Sequence, residues 1–236
     1  MNWIRKNIPN LLTLGNLTLG VLAIEHVLTL PDGAEPQVHY YVLIAALFDL
    51  FDGAVARMLG VSSGLGTQLD SLADLVTFGV LPTFIYASFY PLEDWGYLIL
   101  LVPACSALRL AIFNTSSDQQ ESFKGISTTA HGLFVACLPI VLWEGSSAIA
   151  RLIAENQEFM IGSSVFFSFL MVSPLRMISL KFKTNSWQEN WERYLLLLGS
   201  LIFVLVFGFE SALWIMALYL ILSIIINFKG QKSTTK

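Results

Sequence analysis

Polar residues are bunched along this chain, and between the bunches apolar residues run for roughly twenty positions at a time, the length at which a helix crosses a ~30 Å hydrocarbon layer. Eight such stretches can be marked, at about 8–30, 38–59, 66–90, 95–114, 128–146, 158–181, 192–209 and 211–228. The last two share one apolar run broken only by Gly208, Phe209, Glu210 and Ser211, so a tight hairpin there competes with a single long tilted segment. The pattern predicts an all-α polytopic membrane bundle of six to eight transmembrane helices, with eight as the best count.

Composition points the same way. The 236 residues are 55% hydrophobic and 13% charged, with a mean hydropathy of +0.67, against about 45–50% apolar and ~25% charged in soluble domains. No stretch is left over for a soluble core, so residues 1–236 read as a single integral membrane domain. The run after Arg5 and Lys6 resembles a signal peptide only superficially, because no small-residue cleavage site follows and the run is long enough to span. Cys105 and Cys137 lie inside apolar runs and read as packing residues. Trp3, Trp95, Trp143, Trp187 and Trp191 fall near predicted helix ends, where an interfacial belt belongs.

The charges then orient the bundle. With eight helices and a cytoplasmic N-terminus, every one of the 13 basic residues except Arg151 falls on or near the inside, Lys181, Lys183 and Lys236 included. The outer loops are acidic or neutral, as the positive-inside rule expects. Both termini are therefore expected in the cytoplasm.

One stretch breaks the apolar monotony. Asp49, Asp52, Gly53, Ala56 and Arg57 close the second predicted helix, and Gly66, Asp70 and Asp74 open the third. Spacings of three (Asp49 and Asp52) and four (Asp70 and Asp74) put each acidic pair on one helix face. Helices joined by so short a loop lie antiparallel, so the two pairs can meet. Two carboxylates ~4 Å apart repel by about 4 kcal/mol at an effective dielectric near 20, and Arg57 alone cannot neutralise four of them. Divalent cations can, and an all-oxygen donor set without Cys or His selects hard ions such as Mg²⁺ or Mn²⁺. Two metals bridged by carboxylates recur in displacement at phosphorus. Gly53, Gly64 and Gly66 leave room beside the acids for a flat base or a diphosphate. The competing reading, a carboxylate-lined ion or proton transporter, wants acids spread through the bilayer depth. Here they bracket one loop, and beyond them only Glu25 remains, near the outer end.

The order Asp-x2-Asp-Gly-x2-Ala-Arg-x8-Gly-x3-Asp-x3-Asp, filled by Asp49, Asp52, Gly53, Ala56, Arg57, Gly66, Asp70 and Asp74, resembles the signature of the CDP-alcohol phosphotransferases without a gap. That resemblance implies transfer of a phosphatidyl or related group from a CDP-linked donor to an alcohol, with release of CMP. It implies that Asp49, Asp52 and Asp70 are metal ligands, and that Asp74 completes a second metal site and is the candidate general base. It further implies that Gly53, Ala56 and Gly66 line the cytidine pocket, that Arg57 faces the diphosphate, and that the enzyme is a homodimer.

Further segments, Asn7 to Gly20, Ser106 to Asn114, Phe123 to Gly132 and Leu170 to Lys183, look like those of the membrane-embedded phosphatidylserine synthase branch of that family. The likeness covers most of 1–183, expected to be the catalytic core, and leaves 184–236 as an additional C-terminal helical hairpin. It implies CDP-diacylglycerol as donor, L-serine as acceptor, membrane lipids and no nucleic acid as partners, and a place in the bacterial cytoplasmic membrane with the active site facing the cytoplasm. Two places in the chain depart from that branch. Ile126, Ser127, Thr128 and Thr129 stand where a proline-containing Leu-Pro-Thr-Pro is usual, and Ile112 stands where a second arginine is frequent. Other acceptors, glycerol 3-phosphate or an inositol type, therefore stay open. Arg109 and Lys124 flank the fourth-to-fifth helix connection and could bind a carboxylate or lipid phosphate. Thr13 and Asn16, with Asn10, could donate hydrogen bonds to a headgroup or act as interhelical polar contacts. His131 reads as a packed histidine.

Overall fold

The computed structural model describes residues 3–90, 92–115, 124–145, 147–179 and 190–233; Lys181, Lys183, Trp187 and Lys236 lie outside the described residues. Among the described residues ten α-helices follow one another, α1 Trp3–Thr29, α2 Val38–Leu59, α3 Gly64–Asp74, α4 Leu81–Phe89, α5 Leu101–Thr115, α6 Thr128–Glu144, α7 Ala148–Glu155, α8 Gln157–Val172, α9 Trp191–Phe207 and α10 Ser211–Ser233. A π-helical turn, Leu75–Val80, joins α3 to α4 without a break, and a 3-10 turn, Asp94–Leu100, leads into α5. Counted as continuous rods, these are the eight predicted segments plus the short α7.

Local sequence explains the boundaries. Gly60 takes the left-handed conformation at φ 62° and returns its N–H to the Ala56 carbonyl, which stops α2. Ser63 then caps α3 by accepting the Gly66 N–H at 3.0 Å. The loop between, Gly60 to Ser63, is four residues long, so α2 and α3 run antiparallel. Segment 158–181 ends earlier than the apolar window suggests, because α8 stops at Val172. Pro174 has no N–H to continue a helix and pushes Ser173 to an extended ψ of 152°. The shared apolar run at the C-terminal end is a hairpin: Gly208 at φ 55° closes α9, and Phe203 and Phe207 both meet Trp214 across the turn.

Rods of spanning length and hydropathy are Arg5–Thr29, Gly64–Phe89, Asp94–Thr115 and the α9–α10 stretch. At 22 residues α2 is also long enough, but it carries Asp49, Asp52 and Arg57. Large apolar side chains such as Leu198, Leu201, Leu205 and Val206 point outward, which suits lipid rather than water. The bundle's axis is the rod from α3 to α4. Phe78, Leu81, Ile85 and Tyr86 on it are wholly buried against Val42, Val102, Val135 and Leu138.

Small residues let the neighbouring rods close on this axis. Gly20 of α1 leaves room for Thr77, whose hydroxyl donates to the Asn16 carbonyl at 3.2 Å. A Cβ at Gly132 of α6 would sit 2.7 Å from the Phe78 Cβ, and one at Gly79 would sit 2.8 Å from the Ser106 Cβ of α5. The π turn is thus held by three helices at once, immediately after Asp74. The cysteines form no disulfide.

Candidate active site

At one end of the bundle, the second halves of α2 and α3 place Asp49, Asp70 and Asp74 so that one carboxylate oxygen from each lies within 4.8 Å of the others. Asp49 and Asp70 approach to hydrogen-bonding range. Asp70 Oδ1 is buried and has no hydrogen-bond partner among the described residues. Three acids this close, with an orphaned oxygen, match the donor set of a hard divalent cation, so the residues present fit a metal site. Asp52 stands beside this trio and is buried, with one oxygen accepting the Thr13 hydroxyl at 2.5 Å.

Helix α1 supplies the supports. Thr13 and Asn16 are one turn apart on the face that meets α2 and α3, and both are buried. The Asn16 amide donates to Asp74 Oδ1 at 3.2 Å. The sequence allowed these two side chains a headgroup or an interhelical partner; in the structure they hold carboxylates. Asn114 at the end of α5 adds a third support by donating to the Ser71 hydroxyl at 2.8 Å, next to Asp70.

The other motif positions surround the acids unevenly. The Arg57 guanidinium lies over Gly53, where a Cβ would be 3.3 Å from its Nη1, and it is within electrostatic range of Asp52. Gly66 sits close to Ser63 Oγ and Asn10 Oδ1, whereas Gly64 faces open space. Ala56, half-buried, is one turn past Asp52 on the same helix.

Arg109 of α5 is buried between two features. On one side it is within electrostatic range of Asp74, and on the other it lines a small cavity with Ile112, Lys124, Met171, Val172 and Ser173. Its Nη1 donates to the Thr128 hydroxyl at 3.4 Å, so one of the residues that replace the usual Leu-Pro-Thr-Pro is an Arg109 partner. The other departure, Ile112, forms part of the cavity wall and leaves Lys124 as the second cation there. His131 is packed and fully buried, its Nε2 3.3 Å from the Tyr86 hydroxyl.

Sequence reasoning missed Tyr219 on α10, which lies within electrostatic range of Arg109. The available signal was the period of four among Tyr219, Ser223 and Asn227, polar residues in an otherwise apolar helix.

An all-helical bundle with spanning rods and a carboxylate cluster inside one end defines an integral membrane enzyme with the apparatus for phosphoryl-type transfer. The chain belongs to the CDP-alcohol phosphatidyltransferase family, whose profile matches residues 6–170. Among its relatives is the CDP-diacylglycerol--serine O-phosphatidyltransferase of Bacillus subtilis, 34% identical over 163 residues, 64% of this chain and 89% of that one. The enzyme of the same name from Helicobacter pylori is 32% identical over 224 residues, 92% of this chain and 89% of that one. That of Saccharomyces cerevisiae is 36% identical over 127 residues, 52% of this chain and 46% of that one.

Proposed function

We propose that the protein transfers a phosphatidyl group from CDP-diacylglycerol to the hydroxyl of L-serine, giving phosphatidylserine and CMP. The observation that carries the reading is the adjacency of the Asp49, Asp70 and Asp74 cluster to Arg109 and its cavity. A diphosphate held at the acids and a carboxylate held at the arginine would sit side by side.

Asp49, Asp52, Asp70 and Asp74 would hold the divalent cations, two in number and Mg²⁺ or Mn²⁺ in kind, and when bound these supply charge neutralisation to the diphosphate. Gly53, Ala56 and Gly66 make room for cytidine, and Arg57, exposed at the rim, reaches the diphosphate. Arg109, with Lys124 opposite, pairs with the serine carboxylate. Asp74, aimed by the Asn16 amide, accepts the serine hydroxyl proton. The serine oxygen forms a bond to the phosphorus that carries diacylglycerol, the diphosphate P–O bond breaks, and CMP leaves with that electron pair. Buried walls formed by the bundle keep water from competing for the phosphorus.

The likeness to the 32% identical Helicobacter pylori enzyme over nearly the whole chain supports serine as acceptor. The same reading puts the protein in a bacterial cytoplasmic membrane as a homodimer, with both termini and the acids on the cytoplasmic side. Residues 1–183 then act as the catalytic core and 184–236 as an added hairpin.

Labelled serine, glycerol 3-phosphate and inositol, each offered with CDP-diacylglycerol in detergent, test the acceptor. Only serine should become lipid-soluble, and CMP should appear in equal amount. A preparation that releases CMP with another alcohol and ignores serine refutes the acceptor while sparing the family. Chelation by EDTA should abolish turnover, and Mn²⁺ or Mg²⁺, but not Ca²⁺ alone, should restore it, since the smaller ions suit a compact carboxylate site.

A further inference from the structure

The backbone leaves helical geometry where α8 ends and runs extended from Ser173 to Ser179, at the same end of the bundle as the acids. The family profile ends at Leu170, so this run and the α9–α10 hairpin lie beyond it. Backbone N–H and C=O groups outside a helix need partners when the surroundings are apolar. Here α10 supplies them. Asn227 accepts the Arg176 N–H at 3.1 Å and donates to the Arg176 carbonyl at 2.7 Å. The Ser223 hydroxyl accepts the Ile178 N–H, and the Tyr219 hydroxyl donates to the Ile178 carbonyl, both at 3.3 Å. Positions 219, 223 and 227 recur every four residues and so form one stripe on a helix otherwise fit for lipid.

The opposite edge of the run meets the cavity. Lys124 bridges antiparallel to Arg176, and the Gly125 N–H donates to the Leu175 carbonyl at 2.8 Å. The run begins at Ser173, which with Met171, Val172 and Lys124 makes the cavity wall facing Arg109. Tyr219 itself reaches within electrostatic range of Arg109.

We propose that the Tyr219, Ser223 and Asn227 stripe is a positioning element for the acceptor: it splints the extended run and thereby sets Lys124 and the cavity wall against Arg109. The three side chains are positioning residues, since none touches the reacting atoms. This rests on the reading of the cavity as the acceptor's place. It assigns the C-terminal hairpin a part in substrate selection as well as membrane anchoring.

The test uses the full-length protein in detergent with Mn²⁺, comparing wild type with Asn227→Ala, Ser223→Ala and Tyr219→Phe. Asn227→Ala is expected to raise KM for serine about tenfold, the scale of one to two net hydrogen bonds, with kcat and the KM for CDP-diacylglycerol within about twofold of wild type. Hydrogen exchange of the peptide spanning 174–179 should accelerate in Asn227→Ala and Ser223→Ala. Unchanged exchange overturns the splint. Faster exchange with an unchanged serine KM overturns its link to the acceptor, and a parallel loss of kcat and both affinities reduces the stripe to a general structural role. Should wild type use a different alcohol, the serine reading fails by itself, and the KM for that alcohol in the same variants decides the stripe's role.

Discussion

Asp74→Asn is expected to lower CMP release by at least about a thousandfold while leaving the bundle folded. Asparagine keeps the shape of the side chain, and its Oδ1 can still accept the Asn16 amide that now holds Asp74 at 3.2 Å. What it loses is charge and basicity. A positioned proton acceptor contributes ~10²–10⁴-fold to a rate, and Asp74 also supplies one of the three oxygens that converge within 4.8 Å. Both losses fall on the same step. Stability should move the other way. In metal-free protein the acids repel at a scale of a few kcal/mol per close pair, so metal-free Asp74→Asn should melt no lower than metal-free wild type. Cation binding should then raise the thermal midpoint of wild type more than that of the variant. Residual turnover above about a tenth of wild type would remove Asp74 from the role of proton acceptor.

Gly125→Ala carries the second largest expected effect, this time through the backbone. Gly125 sits at φ 71°, and a Cβ there would collide with the Met171 carbonyl oxygen. The left-handed conformation costs a non-glycine residue ~1–2 kcal/mol, and forced overpacking adds about 1–3 kcal/mol. Neither cost is relieved by a side-chain rotation, because the obstacle is main chain. A loss of roughly 2–5 kcal/mol follows from those two terms, read as a lower melting temperature. Activity toward serine should fall at least tenfold at temperatures where the protein is still folded, because Lys124 and the cavity wall move with the loop. Gly64→Ala is the control. Nothing lies within 4 Å of its added Cβ, and alanine at a helical position narrows the unfolded chain's freedom, a gain of about 0.4–1 kcal/mol, so its melting temperature should hold or rise. Equal behaviour of the two variants would show that the Gly125 turn is not under the constraint its geometry implies.

The membrane rods were legible because lipid tests each stretch of sequence locally: a segment of about twenty apolar residues satisfies its backbone within itself whatever its neighbours do. The acid cluster was legible for a related reason. Asp49 and Asp52 must share a helix face at a spacing of three, as must Asp70 and Asp74 at four, and Gly60 with the Ser63 cap forces the two helices side by side. The partners of Thr13 and Asn16 were not legible. Which way a polar side chain on α1 faces depends on how that helix is rotated against α2 and α3, and Gly20 with Thr77 sets this through a contact more than fifty residues apart in the chain. The early end of α8 was signalled by Pro174 but outvoted by the apolar residues that follow it.

The sequence by itself determined the class of structure, the acidic end of the bundle and the chemistry such acids call for, since each rests on local periodicity and on the cost of charge in an apolar medium. Only the tertiary structure decided what supports those acids, that Arg109 lies between Asp74 and a cavity, and that α10 returns from the far end of the chain to satisfy an extended run of backbone. The physical reason is that a hydrogen-bond partner is chosen by proximity in space, and packing of helices distant in sequence creates that proximity.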